Sequence, residues 1–86
     1  MLILDEIMTG AGRTGTFLCC EQFGIEPDLI TMGKSISGGH FPLGVVLIHD
    51  RVATSLVKDK RPLDHVHTFS GHPVACAVGL LSLIHI

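Results

Sequence analysis

Short apolar runs, separated by turns that contain glycine or proline, set the pattern of this chain. Three of the runs are three or four residues long, which fits a buried β-strand better than a helix. The predicted strands are residues 2–4, 29–32 and 45–48. The segments between these runs are more polar, and three of them predict short helices. The predicted helices cover 17–23, 51–57 and the stretch from Pro73 to about Leu80.

Residues at the helix ends support these predictions. Gly24 follows the first helix, where a left-handed residue commonly ends a helix. Asp50 precedes the second and is predicted to cap it, and Pro73 suits the first turn of the third. Strands that alternate with short helices predict an α/β fold with a mostly parallel sheet.

Composition indicates that this pattern belongs to the middle of something larger. The chain has 86 residues and a mass of 9.2 kDa, so it forms one small domain at most. It is 47% hydrophobic and 16% charged, with a mean hydropathy of +0.52. A small domain leaves much of its surface in water and needs more polar groups than these.

Charge, hydropathy and cysteine count argue against a nucleic-acid-binding, membrane-spanning or secreted protein. The net charge of −2 and pI of about 6.3 argue against a nucleic-acid-binding surface. No apolar run reaches the roughly 18 residues of a membrane-spanning helix, and no signal peptide is recognisable. Cysteines are three in number, an odd count with one adjacent pair, which favours a reducing compartment and thus a cytoplasmic location.

A carboxylate and a lysine follow the first two predicted strands. Asp5 ends the first strand and Lys34 lies just beyond the second. Ligands of parallel sheets bind at the carboxyl ends of strands, so these side chains are expected at one edge. Pyridoxal phosphate needs a lysine for its Schiff base and an acid for its pyridinium nitrogen. Spacing alone equally allows a solvated lysine and a loop acid.

Two nucleotide-binding motifs are matched only in part. Residues 10–15 fit G-x-G-x-x-G, but the first glycine does not directly follow the strand, as a dinucleotide site requires. Residues 33–35 resemble the end of a P-loop, yet Asp28 stands where its first glycine belongs. Both interpretations are therefore disfavoured.

The remaining candidate ligands are histidines and thiols. Their loose spacing does not match the paired ligands of zinc sites, so no metal is predicted. These residues are Asp64, His65, His67 and His72. The Cys19–Cys20 pair lies in an apolar segment and is assigned to the core.

Four segments together resemble the class-III aminotransferases, which are fold-type-I enzymes dependent on pyridoxal phosphate. They occur in the family's order and with its spacing, over roughly residues 1–80. The segments are 2–15, 26–34, 38–44 and 67–77. The resemblance implies that the chain is part of the large, mostly parallel-sheet domain of such an enzyme. The implied reaction moves an amino group from an amine or amino acid to a 2-keto acid.

The resemblance also implies roles for individual residues. Lys34 is the Schiff-base lysine, Asp5 pairs with the pyridinium nitrogen, and Ile7 packs against one face of the ring. Thr68 donates to the cofactor phosphate in the neighbouring subunit of a homodimer. Glu6 and Arg13 match the family motif and are read as residues that hold the loop.

Met8 departs from the family pattern. Many members carry a glutamine there that contacts the phenolic oxygen of the ring, which a thioether cannot do conventionally. This departure disfavours an ornithine-type substrate and favours a broader amine:pyruvate type. The family's phosphate cradle and its ring-stacking aromatic residue precede the matching region, so at least half of the cofactor site is expected to lie outside this chain.

The last six residues have a different explanation. Residues 81–86 are compatible with the DNA sequence CTGTCTCTTATACACATC, the end of a transposon adapter used in sequencing libraries. We expect them to be foreign to the domain of residues 1–80.

Two alternatives to the aminotransferase remain open. One is an aminomutase, racemase or decarboxylase of the same family, and the other is a chain with no independent activity.

Overall fold

The computed structural model describes residues 1–60 and 63–86. Arg61 and Pro62 lie outside the described residues. The sequence predicts a loop over residues 62–71, so its first residue is among those not described. Within them, the strands are β1 (Ile3–Asp5), β2 (Leu29–Met32) and β3 (Val45–Ile48). The α-helices are α1 (Asp50–Lys58) and α2 (Pro73–His85). Two short 3₁₀ helices cover Cys19–Phe23 and Lys34–Ser37.

The three-stranded sheet is mixed, so β3 is not parallel to its neighbour as expected, while the mostly parallel sheet of the whole large domain stays a prediction. Its order is β1-β2-β3, where β1 and β2 are parallel and β3 is antiparallel to β2. A parallel return needs a crossover of a dozen or more residues, usually an α-helix. The connection from β2 to β3 holds only the 3₁₀ helix Lys34–Ser37, so the chain turns back beside β2.

The helix ends confirm the prediction for Gly24 and contradict the one for Asp50. Gly24 adopts the predicted left-handed conformation at φ 62°, although its helix is 3₁₀ and begins at Cys19. The predicted cap Asp50 is wrong: His49 is the cap of α1, and its Nδ1 accepts from the Arg51 amide at 3.1 Å. An imidazole nitrogen with a lone pair can do what a carboxylate does at this position.

Helix α2 is longer than the predicted stretch. It begins at Pro73 and continues to His85, because residues 81–84 include strong helix formers and no glycine or proline interrupts them. The origin of residues 81–86 stays a prediction. Gly79 allows α2 to approach the chain before β3, since a methyl group there would lie 2.9 Å from Leu43 Cδ2.

The core is small and lies on one face of the sheet. Buried side chains from both 3₁₀ helices meet β2 there, namely Cys20, Ile30, Met32 and Ile36. Burial of Cys20 confirms its assignment to the core. Many large apolar side chains remain on the surface: Ile3 is 55% exposed, Leu80 64% and Ile84 73%. The apolar surplus seen in the composition therefore lies largely on the outside of this chain.

Candidate functional site

One edge of the sheet gathers the residues that the sequence singles out. Asp5 is the last residue of β1, and Lys34 follows β2 after a single glycine. Because β1 and β2 are parallel, their carboxyl ends meet at this edge. The antiparallel β3 begins there too, since Val45 pairs with Met32. We call this the site edge.

Asp5 presents an exposed carboxylate at the site edge. Its Oδ1 accepts a hydrogen bond from the Ile7 amide at 2.9 Å, which fixes the side chain beside its own backbone. Short side chains of this type commonly bond the backbone two residues on. Asp5 is thus available to a ligand and oriented.

Ile7 lies next to the start of the lysine segment. Its side chain is half-buried, and its Cγ2 would be 3.4 Å from a methyl group placed on Gly33. This contact joins the loop after β1 to the loop after β2. The site edge therefore includes an apolar side chain next to the residue that precedes Lys34.

Lys34 is exposed and its backbone is left-handed, with φ 44°. A residue with a Cβ is uncommon in this region and is strained there. The hydroxyl of Ser37, which is 2% exposed, donates to the Lys34 carbonyl oxygen at 3.3 Å. Sequence reasoning did not single out Ser37. Its signal was the spacing of three residues after Lys34, which aligns positions in a 3₁₀ turn.

Glu6 lies next to the site edge in the sequence and is buried against the 3₁₀ helix that begins at Cys19. It is 4% exposed, and its carboxylate accepts from the amides of Cys19 at 2.7 Å and Cys20 at 2.8 Å. These amides begin a 3₁₀ helix and would otherwise lack partners. The expected role of Glu6 in holding the loop agrees with these contacts, whereas Arg13 is an exposed residue of that loop.

Thr68 lies on a different segment. Residues 63–72 contain a turn at 68–71 and no strand or helix, and Thr68 is exposed. A cleft of about 510 Å³ separates part of this segment from the chain before β3. The ring of His72 stacks on Phe41 across it, with centroids 5.5 Å apart. The strand pairing and the approach of Ile7 to Gly33 place Asp5, Ile7 and Lys34 at the site edge, and none of these described contacts includes Thr68.

The candidate ligand histidines do not assemble. His65 and His67 are in edge-to-face contact at 4.8 Å. Across residues 1–60 and 63–86, no group of three histidine, cysteine or acidic side chains has the arrangement of a metal site. The same residues include no helix with the length and apolar character needed to span a membrane.

The cysteines are free thiols, and Cys20 is the buried one. Burial raises the pKa of the Cys20 thiol, and the nearby Glu6 carboxylate raises it further. A thiol reacts as its thiolate, so this environment lowers the reactivity of Cys20. Cys76 is exposed on α2.

The opposite edge of the sheet carries a polar network. Asp28 accepts from the Leu2 amide and from Arg51 Nε, both at 2.6 Å. These bonds lower the pKa of the Asp28 carboxyl, the Leu2 amide having the larger effect. His49 Nε2 lies 2.6 Å from Glu26 Oε1, and this contact lowers the pKa of Glu26. This network joins β1, β2 and the start of α1 away from the site edge.

Comparison with known proteins decides the family. The sequence model "Aminotransferase class-III" matches residues 1–86. The chain belongs to the class-III aminotransferases. Its relatives include the acetylornithine aminotransferase of Methanosarcina acetivorans, which is 46% identical over 83 residues. This match covers 96% of the present chain and 19% of the relative.

Solved structures of transaminases share the backbone. A thermostable (S)-enantioselective omega-transaminase from Thermomicrobium roseum has a TM-score of 0.89 and 48% identity over 99% of this chain and 19% of its own. The ornithine aminotransferase of Toxoplasma gondii has a TM-score of 0.80 and 39% identity over 98% of this chain and 19% of its own. In that structure, PLP partly occupies the active site. The chain thus spans about a fifth of the length of these class-III relatives.

Proposed function

We propose that this chain forms the lysine-bearing part of the active site of an aminotransferase dependent on pyridoxal phosphate. The reaction moves an amino group from an amine or amino acid to a 2-keto acid. The observation that carries the proposal is that the parallel pairing of β1 and β2 places Asp5 and Lys34 at one end of the sheet, with Ile7 beside Gly33, in a class-III aminotransferase chain. The sheet would be part of the large domain of the fold-type-I architecture.

The side chains at the site edge fit this cofactor chemically. Lys34 offers an exposed primary amine, Asp5 an exposed carboxylate, and Ile7 a half-buried branched apolar side chain. An amine, an acid and a flat apolar contact are what the aldehyde, the ring nitrogen and the ring face of the cofactor need. When bound, pyridoxal phosphate supplies an electron sink for the bonds around the substrate Cα.

Each residue then has a definite task. Lys34 Nζ would be the group that holds the cofactor, and as a free amine it would take a proton from the substrate Cα and return it. Asp5 holds a proton on the ring nitrogen, because a carboxylate favours a nearby positive charge. Ile7 packs on one ring face and keeps water from it.

Thr68 is proposed to serve the site of a second subunit. Its hydroxyl is exposed, it lies on a segment apart from the site edge, and a hydroxyl is a suitable donor to a phosphate. This assignment implies a homodimer, which we place in the cytoplasm. The 86-residue chain alone is proposed to be inactive, because it spans about a fifth of its relatives and exposes many apolar side chains.

Met8 supports a preference for simple amines over ornithine. Its side chain is 71% exposed next to Ile7, and its thioether has no conventional hydrogen to donate. Substrate profiling with a primary amine, ornithine and pyruvate tests this preference. A Met8→Gln variant that gains ornithine activity would support it, and a wild-type segment that prefers ornithine would contradict it.

The central test uses an exchange of segments. The matching fifth of the Thermomicrobium roseum omega-transaminase is replaced by this chain, which is feasible at 48% identity and a TM-score of 0.89. We call the product the exchanged transaminase. It is loaded with pyridoxal phosphate, reduced with borohydride and digested for mass spectrometry. We expect the pyridoxyl label on Lys34 and amine transfer to pyruvate.

Two variants make the result specific. Lys34→Ala should lose the label and the transfer, whereas Lys58→Ala, which removes an exposed lysine in the last turn of α1, should keep both. A label on another lysine would refute the assignment of Lys34. Isomerised or decarboxylated substrate without amino transfer would favour another reaction of the same family.

A further inference from the structure

Glu6 occupies the one position between the proposed cofactor-binding residues Asp5 and Ile7. It lies between the end of β1 and a turn that begins at Ile7. Along residues 5–7 the side chains are exposed, buried and half-buried in turn. Glu6 is therefore held inside, beside the amide of the core residue Cys20, whereas its two neighbours are more accessible.

Both oxygens of the Glu6 carboxylate accept hydrogen bonds. Oε2 accepts from the Cys19 amide at 2.7 Å and Oε1 from the Cys20 amide at 2.8 Å. Hydrogen bonds to an ionised acceptor are shorter and stronger than neutral ones. The two-point contact fixes the rotation of the side chain as well as its distance from the 3₁₀ helix that begins at Cys19.

The backbone of Glu6 is fastened as well. Its amide donates to the Thr31 carbonyl oxygen at 2.9 Å, which continues the β1–β2 pairing beyond Asp5. Its carbonyl oxygen accepts from the Gly10 amide at 2.9 Å. Main chain and side chain together leave little freedom for the residues on either side of Glu6.

We propose that Glu6 is a positioning residue, which sets Asp5 and Ile7 for the ring of the cofactor through its two-point contact with the amides of Cys19 and Cys20. This inference rests on the proposed function for its ligand. Glu6 itself touches no cofactor or substrate. The rotation of the residue 5–7 segment, and with it the direction of the Asp5 carboxylate, follows from where Glu6 is held.

The test compares three variants in the exchanged transaminase. Glu6→Gln keeps the size, but its amide nitrogen cannot accept, so one of the two backbone amides loses its partner. Glu6→Asp keeps the charge but is too short for both contacts. Glu21→Gln is the matched control, since Glu21 also accepts from a backbone amide of this turn, that of Leu18 at 2.7 Å, yet is exposed.

Two cofactor readouts are measured. We expect the dissociation constant of pyridoxal phosphate to rise at least about tenfold in both Glu6 variants, because Asp5 and Ile7 are then oriented less well toward the ring and the loss of an orienting contact commonly costs about 10–100-fold in affinity. The pH at which the absorption band of the bound cofactor changes should shift in both, because Asp5 no longer faces the ring nitrogen correctly. Glu21→Gln should alter neither. Wild-type values in Glu6→Gln, or full rescue by Glu6→Asp, would overturn the proposal.

A third readout separates this inference from the proposed function. Hydrogen exchange of the cofactor-free protein reports on the backbone directly. Exchange in residues 5–10 should be faster in both Glu6 variants and unchanged in Glu21→Gln. If Lys34 takes no label and exchange still responds in this way, the proposed function fails and the positioning stands. If Lys34 is labelled and exchange in residues 5–10 does not respond, the positioning fails alone.

Discussion

Gly10 lies directly against Glu6. Its amide donates to the Glu6 carbonyl oxygen at 2.9 Å, and a methyl group on its Cα would lie 2.9 Å from that same oxygen. Met32 Cε would be 3.0 Å away on another side. Only a residue without a side chain fits between the backbone of the loop and the core.

Substitution at Gly10 should therefore be costly. We expect Gly10→Ala to lower the free energy of unfolding by about 1–3 kcal/mol, since a backbone oxygen cannot move aside as a side chain can. Gly44→Ala is the control, because a methyl group there meets no atom within 4 Å. Chemical denaturation of the exchanged transaminase measures both, and equal stability of the two variants would contradict this account of Gly10.

The left-handed backbone of Lys34 makes a second prediction. Glycine adopts φ 44° without strain, whereas alanine keeps the strain of lysine. Lys34→Gly should accordingly be about 1 kcal/mol more stable than Lys34→Ala. Thermal unfolding of the cofactor-free exchanged transaminase compares the two. If alanine were the more stable replacement, the backbone at this position would not be left-handed in solution.

Acid should weaken the edge of the sheet opposite the site edge. The pKa of the Asp28 carboxyl is lowered in the folded chain, so its contribution to stability is present above the ordinary value of about 4 and is lost as the pH falls through the lowered one. Asp28→Asn should be less stable at neutral pH and should lose less stability on acidification. Unfolding temperatures from pH 7 to pH 2 measure this, with the exposed Asp59→Asn as control. Parallel curves for the wild type and Asp28→Asn would refute it.

The thiols should differ in reactivity. The pKa of Cys20 is raised by burial and by Glu6, whereas Cys76 is exposed on α2. At neutral pH we expect the 86-residue chain to take up iodoacetamide at Cys76 at least about tenfold faster than at Cys20. Peptide mass spectrometry separates the label on Cys76 from any on Cys20 or the half-buried Cys19, and Cys76→Ser should remove the label at position 76 and leave Cys20 slow. Fast labelling of Cys20 would show that the core around it opens readily.

Some elements could be predicted from the sequence because their cause is local. The strands at 29–32 and 45–48 are apolar runs bounded by turns, and both occur at those residues. Gly24 ends its helix because glycine tolerates a left-handed backbone. The approach of Asp5 and Lys34 to one edge followed from strand direction in the parallel pair.

Other features depend on contacts between distant segments and could not be predicted. The direction of β3 was missed because it is set by the connection after Lys34, which contains no α-helix, and no local pattern shows that. The cap of α1 was assigned to Asp50 because carboxylates are common caps, while His49 reaches the Arg51 amide instead. The left-handed backbone of Lys34 has no sequence signal, since most lysines avoid it.

The antiparallel direction of β3 places the junction of β3 and α1 at the end of the sheet away from Asp5 and Lys34. The chain leaves β3 at the edge opposite Asp5 and Lys34. The turn before β2 and the start of α1 therefore lie a strand length away from these two residues. Lengthening the chain at the junction of β3 and α1 would add material away from the site edge. An insertion there would therefore alter the contacts of His49 and Arg51 without lying against Asp5 or Lys34.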